Sequence, residues 1–419
     1  MRISLGYAKE KIQVNIPEKN LQGVLAPNTP QVSLSEEESV RQALLNPIDS
    51  PLLKETITPG EKIVIVTSDI TRPIPTAKIL PFVVEQLNQA GIPDRDIAVV
   101  FGLGVHRPHT AEEQAMLVGQ AMYARLACFD STPEDTVHLG ETSRGTPIDL
   151  SRRVVEADRC ICLGNIEYHY FAGVSGGMKA IMPGVSTRAA IQANHSRMVE
   201  AQAMAGKIED NPVREDIDEV AQFFKVAFIV NVVLDEKKKI IKAFAGDVLQ
   251  AHRAGCAYLD SLYKVEIETL ADIVIVTPGG FPKDINLYQA QKALDNAKHA
   301  VKKGGVIILL AACSEGLGEH VFERWLLNAP NPHFMVTEIQ RNFELGGHKA
   351  AAIAMVMENA SIFLVSEFSP EFTRKMFMTP FPDFESALRQ ALQEKGEHAS
   401  ILVMPYGGST LPVMRSPGK

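Results

Sequence analysis

The feature that most restricts how this chain can fold is a series of short apolar runs. Each stops at polar or glycine residues, and stretches of helical periodicity separate them. KIVIVTSD (Lys62–Asp69), DIAVVFG (Asp96–Gly102) and RCICLGN (Arg159–Asn165) are of this kind. Such runs read as strands buried on both faces, the pattern of a parallel sheet covered by helices. Between the first two, about Ala77 to Ala90, the apolar residues recur at helical spacing and Gly91 closes the stretch. The alternation predicts an α/β fold. AFIVNVVLD and KKKIIKAFA predict a hairpin around Asp235 and Glu236, with a helix from about Asp247 to Tyr263. Near Val265–Leu270 the pattern restarts with ADIVIVTPGG, a helix near Asn286–Val301, GGVIILLAAC, SIFLVSE and SILVMP. A length of 419 residues favours two domains. The expected division is a larger N-terminal α/β domain over residues 1–267 and a smaller doubly wound, Rossmann-like domain over 268–419, with an active site in the cleft between them.

Composition narrows the partners. A formal charge of −8 gives no basic footprint, so nucleic acid is not expected. The opening MRISLGYAKEKIQVNIP has interspersed charges and no apolar h-region, and the run Val306–Cys313 is too short to span a bilayer. A soluble, cytoplasmic protein is expected, with no membrane partner. Five cysteines, an odd number without scaffold spacing, suit a reducing compartment. Cys160 and Cys162 alternate onto one strand face, where buried packing explains them better than metal binding.

Chemistry-bearing residues follow the strand-like runs, where ligands bind in open α/β sheets. Asp69-Ile70-Thr71-Arg72 offers a carboxylate to orient a neighbour and a planar fork for a carboxylate or phosphate; a surface ion pair would use the same residues. In GLGVHRPHT, His106 leaves a strand end through glycines, while His109 precedes TAEEQ and a helix N-terminal role suffices for it. Glu167 to His195, EYHYFAGVSGGMKAIMPGVSTRAAIQANH, sets His169, a glycine-rich turn, Lys179 and His195 on one segment. Glycine lets the backbone approach a bound group, the lysine can act as a point charge or covalent anchor, and imidazoles move protons or bind transition metals. Ser186 or Thr187 can cap a helix carrying His195, which could equally lie on a polar helix face. One histidine without Cys, Asp or Glu at ligand spacing is a poor zinc site, so a metal there would need most donors from elsewhere. In PGGFPKDINLYQAQK, Tyr288, Gln289 and Lys292 can share a helix face, either to hold a substrate carboxylate or as a solvated surface. G-x-G-x-x-G, Walker, H-E-x-x-H and G-x-S-x-G motifs are all missing.

DITRP, GLGVHRP, EYHYFAG with GGMK, the histidine of NH, and DINLYQAQK occur in the order found in the nickel-dependent lactate racemase family, which the chain resembles from about Leu5 to Pro412. The resemblance implies a nickel-pincer nucleotide, pyridinium-3-thioamide-5-thiocarboxylic acid mononucleotide. Lys179 would join it through a thioamide bond and His195 would complete the nickel coordination. Asp69, Ile70, Thr71 and Arg72 would contact the cofactor, with Arg72 also near the substrate. His106 and His169 would be the paired acid–base residues, and Tyr288, Gln289 and Lys292 would bind substrate.

The implied reaction inverts the hydroxyl-bearing carbon of a 2-hydroxy acid, by hydride transfer to and from the cofactor through a transient 2-keto acid. Biosynthetic proteins of the host would supply the cofactor. Lactate-acting members resemble one another in a second-domain tryptophan near the substrate. Here the only tryptophan is Trp325, in FERWLL, and FELGGHKAAAIAM offers His348 and Lys349 instead. A related 2-hydroxy acid is therefore as suitable a substrate as lactate. The rivals are a nicotinamide-dependent 2-hydroxy-acid dehydrogenase and a non-catalytic carrier of the nickel cofactor; a carrier has no use for His106 together with His169.

Overall fold

A computed structural model describes residues 1–28 and 33–415, which form two compact units, Pro30–Asp260 and Met1–Thr29 with Ser261–Lys419. The first unit is built on a six-stranded sheet in the order Ile240–Gly246, Phe228–Leu234, Arg159–Ile166, Ile63–Ser68, Ile97–Gly102, Ala127–Asp130. All neighbours run parallel except the hairpin Phe228–Leu234 with Ile240–Gly246. The three apolar runs are therefore its adjacent central strands. The helix Thr76–Gln89 covers one face and buries Thr76, Ile79, Leu80, Val83, Val84 and Leu87, one stripe at helical spacing. Its apolar members, Ile79, Leu80, Val83, Val84 and Leu87, share a core with Ile63, Ile65, Phe101, Leu163 and Val230. Burial of each such side chain stabilises the fold by about 1.5–3 kcal/mol. Cys160 and Cys162 are buried on one face as expected, with sulfurs 3.9 Å apart.

The second unit repeats the plan. Its six strands run Thr379–Phe381, Ala360–Val365, Val301–Leu310, Ala271–Val276, Ile401–Met404, Leu21–Val24, all parallel. The sixth strand departs from the expected cut at 267/268. Leu21 pairs with Ile401, and Ile3, Leu5, Val14 and Ile16 join the core of Ile273, Ile308 and Val403, so the first residues complete this sheet. The other end of the cut moves only slightly, to 260/261. The helix expected to Val301 stops at Ala297, because Val301 already pairs with Ala271 and begins a strand. Among the described residues no helix is long and apolar enough to cross a membrane.

Candidate functional site

In the first unit, the strand Ile63–Ser68 lies between Ile97–Gly102 on one side and Arg159–Ile166 on the other. The chain proceeds to one edge and later returns to the opposite side of its starting strand. Loops leaving the carboxyl ends of the two strands at such a reversal diverge and leave a ligand crevice. The loop Asp69–Arg72 leaves one of these strands, and the segment Glu167–Lys179 leaves the other.

Asp69 is buried, and its Oδ2 lies 2.6 Å from His106 Nδ1. Thr71 Oγ1 donates to its other oxygen at 2.9 Å. Burial alone would raise the carboxyl pKa. The hydrogen bond and charge of His106, with Thr71 and Arg72, outweigh it and hold the pKa below the ordinary range. Nδ1 of His106 is thereby the protonated nitrogen of the neutral ring, and the lone pair sits on Nε2. The loop carrying His106 fits tightly over the next segment: Gly104 N–H donates to Gly184 O at 3.0 Å, and a Cβ on Gly102 would press on the Gly184 backbone at 3.0 Å.

The turn before Lys179 is held from beneath. Arg214, fully buried, donates through Nη1 to the carbonyls of Val174 (3.2 Å) and Gly176 (3.3 Å), and its Nε meets Asp218 at 3.1 Å. His252 Nε2 lies 2.8 Å from Ser175 O and so donates to it, while Gly177 N–H donates to Asn231 Oδ1 at 2.8 Å. Gly177 has φ +61°, and a Cβ there would lie 2.8 Å from Arg214 Nη2, so glycine is required. Burial pushes the Lys179 amine well below the usual lysine pKa, with the charges of Arg72 and Arg214 adding to it and Glu167 opposing. Among the described residues its Nζ makes no hydrogen bond or ion pair, which suits a neutral, nucleophilic amine.

The buried ring of Phe171 gathers three of the sequence candidates. The His169 ring is 4.5 Å from it, the His195 ring 5.0 Å, and Lys179 Nζ 6.0 Å. His169 Nδ1 accepts the Ala172 N–H at 3.3 Å, so its neutral ring carries the proton on Nε2. His195 ends the helix Arg188–His195, whose cap is Thr187; Ser186 instead donates to Ile181 O. Asn194 Nδ2 donates to Val213 O (3.1 Å) and Asp216 Oδ2 (2.7 Å), which turns its Oδ1 toward His195 Nδ1 at 2.8 Å. An amide oxygen only accepts, so Nδ1 of His195 carries the proton and the lone pair falls on Nε2, the form that ligates metals. Thr142 and Thr146 hydroxyls complete the buried Asp216.

Tyr288, Gln289 and Lys292 lie on the helix Leu287–Ala297 of the second unit. Gln289 and Lys292 are exposed. Tyr288 is turned inward, its ring 5.4 Å from Phe322 and beneath Lys349 Nζ at 3.8 Å, so the three do not share one solvent face. Trp325 is structural: its Nε1 donates to Glu344 at 2.7 Å. Sequence reasoning did not single out Phe171, Asn194, Arg214, Asp216 or His252. Only the Asn194–His195 neighbourhood and the i, i+4 pair Arg214–Asp218 left a local signal.

A carboxylate-held histidine, an amide-held histidine and a half-buried lysine lie on segments that follow the strands of the first unit in a two-domain α/β protein. Known proteins sharpen this. Residues 7–206 match the lactate racemase N-terminal domain and residues 267–411 the lactate racemase C-terminal domain. The lactate racemase of Thermoanaerobacterium thermosaccharolyticum is 33% identical over 421 residues, covering 98% of both chains. That of Lactiplantibacillus plantarum is 34% identical over 417 residues, covering 97% of this chain and 98% of the relative. The solved lactate racemase apoprotein from T. thermosaccharolyticum superposes with a TM-score of 0.88 at 32% identity, over 99% of this chain and all (100%) of that one. A Thermotoga maritima protein at 17% identity and TM-score 0.63, covering 92% of this chain and 100% of its own, shares the fold. The chain belongs to the lactate racemase family.

Proposed function

We propose that this protein is a 2-hydroxy-acid racemase or epimerase that inverts the hydroxyl-bearing carbon through a transient 2-keto acid. The observation that carries the reading is the opposite tautomers of two histidines, one tied through Asp69 to the loop that leaves Ile63–Ser68 and the other on the segment that leaves Arg159–Ile166. His106, with Nδ1 committed to Asp69, has its lone pair on Nε2; His169, with Nδ1 accepting a backbone N–H, has its proton on Nε2. An inversion needs one group to take the hydroxyl proton and another to return a proton from the opposite side, and microscopic reversal exchanges the roles for the other enantiomer.

The residues present fit a nickel-pincer nucleotide. Burial lowers the pKa of the Lys179 amine, which favours the neutral form a thioamide bond requires, and His195 has an imidazole oriented by Asn194 with its lone pair on Nε2. Among the described residues no three His, Cys, Asp or Glu side chains gather as a metal site, so a nickel ion at His195 would take its other donors from the nucleotide. When bound, the nucleotide would supply the group that takes the Cα hydride from the 2-hydroxy acid and returns it to the planar 2-keto acid. Asp69 orients His106, Arg72 offers its fork to the substrate carboxylate, and Gln289, Lys292 and Tyr288 are the proposed further substrate contacts. Host enzymes must supply the nucleotide.

The test uses protein from a host that makes the cofactor. Intact mass should show an adduct lost in Lys179→Ala, with about one nickel per chain, and a panel of single-enantiomer 2-hydroxy acids should racemise without added nicotinamide. Accumulation of free keto acid with consumption of nicotinamide would replace the proposal with a dehydrogenase. Adduct and nickel without turnover of any acid would replace it with a carrier.

A further inference from the structure

Next to the Asp69–His106 pair stands a second histidine–carboxylate pair for which the proposed reaction has no use. His109 is buried, its side chain 1% exposed, with the ring edge-on to Phe101 at 5.2 Å. Its Nδ1 lies 2.6 Å from Asp130 Oδ1, and its backbone N–H donates to Asp130 Oδ2 at 2.7 Å. Nε2 accepts the N–H of Ile70 at 3.1 Å. The expected role at the following helix start belongs instead to Thr110, whose hydroxyl accepts Glu113 N–H. A neutral histidine with both ring nitrogens used in this way is a fixed spacer: a donor toward the carboxylate and an acceptor toward the loop.

The consequence lies in what the spacer connects. Asp130 ends the strand Ala127–Asp130, His106 and His109 lie on the loop after Ile97–Gly102, and Asp69–Arg72 is the loop after Ile63–Ser68. The loop with His106 is thus fastened to the loop with Asp69 side chain to side chain at Asp69–His106, with Thr71 Oγ1 also 3.4 Å from His106 Nδ1, and ring to backbone at His109–Ile70. A single hydrogen bond lets a carboxylate–imidazole pair pivot. A second one, to the residue after the carboxylate, removes that freedom.

We propose that His109, held by Asp130, is a positioning residue that fixes the 69–72 loop and through it the angle at which Asp69 presents His106. This rests on the reading of His106 as an acid–base residue. Misplacing a reacting group by about an ångström costs on the order of 100-fold in rate, so the effect belongs in kcat.

Two conservative variants separate the ring's functions. Asparagine places its amide nitrogen where imidazole has Nδ1, two bonds from Cβ; glutamine places its amide oxygen where imidazole has Nε2, three bonds from Cβ. His109→Asn therefore keeps the donor to Asp130 and loses the acceptor for Ile70, and His109→Gln does the reverse. On the cofactor-free protein, hydrogen exchange at residues 69–72 should accelerate in His109→Asn and stay close to wild type in His109→Gln. On loaded enzyme, kcat of His109→Asn should fall roughly 10- to 100-fold with KM within about twofold, and His109→Gln should restore most of it. Adduct mass should be unchanged in both. If His109→Asn does not fold, Asp130→Leu serves. It withdraws every acceptor for Nδ1–H, frees the ring tautomer and should reproduce the same exchange and kcat pattern. Equal losses in both His109 variants, or fast exchange at Ile70 with unchanged kcat, overturn the proposal. If loaded wild-type enzyme inverts no 2-hydroxy acid, the functional reading fails, and Ile70 exchange still shows whether His109 fixes the loop.

Discussion

Replacing Lys179 with methionine should reveal the state of its amine without any cofactor. Its Nζ lies 6.0 Å from the Phe171 ring, it feels the charges of Arg72 and Arg214, and its pKa lies well below that of a free lysine. Burial is the largest cause; the two like charges add to it. In the unfolded chain the amine titrates near 10.4. Between the depressed folded value and that ordinary one, the unfolded state holds one more proton than the folded state. Stability therefore rises with pH in that window, by up to about 1.4 kcal/mol per pH unit for this one group. Lys179→Met has no such term and fills nearly the same volume. The difference between variant and wild type should accordingly favour the variant at neutral pH and shrink, along that slope, as pH climbs toward about 10. Urea titrations of both cofactor-free proteins at several alkaline pH values measure it, with other titrating groups cancelling in the subtraction. Parallel stability curves would mean that the amine stays charged in the fold. The fold would then not prepare Lys179 as a nucleophile.

Three further perturbations read out other parts of the site. Asn194→Ala withdraws the acceptor that orients His195 and should weaken nickel retention by loaded protein about 10- to 100-fold in dialysis against a chelator. Asp69→Asn removes a charge-assisted bond and should cost about 2 kcal/mol at neutral pH. Because the Asp69 pKa is depressed in the fold, that stabilisation is complete above about 4 and is lost as pH falls through the lower folded value, so the gap between wild type and variant closes in acid. Arg214→Met strips the carbonyls of Val174 and Gly176 of their donor and leaves Asp218 to Arg253. A loss of about 3 kcal/mol is expected in denaturant titration, together with incomplete adduct formation on Lys179 by intact mass.

Much of this architecture was legible because it is written locally. An apolar run that stops at polar or glycine residues can be recognised without its neighbours, and KIVIVTSD, DIAVVFG and RCICLGN became adjacent parallel strands. Asp69, His106, His169 and Lys179 stood out as candidates for the same reason, each following a strand end or a glycine turn, and His195 because it closes a capped helix. What escaped notice depends on distant partners. Leu21–Val24 is too short to announce itself and becomes a strand only because Ile401–Met404 offers a parallel edge. Asp216 gains meaning from Thr142, Thr146 and Asn194, and Arg214 from two carbonyls of another segment. Nothing in the sequence around either residue states those distances. His109 was underrated because its partner, Asp130, lies a whole strand away.

These histidines show how one side chain is set to different tasks by the partner at Nδ1. A carboxylate beside His106 offers a counter-charge whenever the ring gains a second proton, which suits a group that must accept one repeatedly. The amide oxygen of Asn194 orients His195 equally well and offers no full charge, which suits a neutral ligand. Asp216 stays one residue further back, satisfied by two hydroxyls and the Asn194 amide. A backbone N–H at His169 reverses the tautomer and turns Nε2 into a donor. Exchanging partners should therefore exchange roles. Asn194→Asp would set a carboxylate directly beside His195, and with Asp216 in hydrogen-bond range of the same position the two acids would repel. Such a chain would keep His195 in place only by holding a proton between the acids, so nickel retention should become steeply pH-dependent where that of the wild type is shallow. If nickel retention by Asn194→Asp followed the wild-type pH curve, the choice of an amide over a carboxylate at this position would carry no electrostatic meaning.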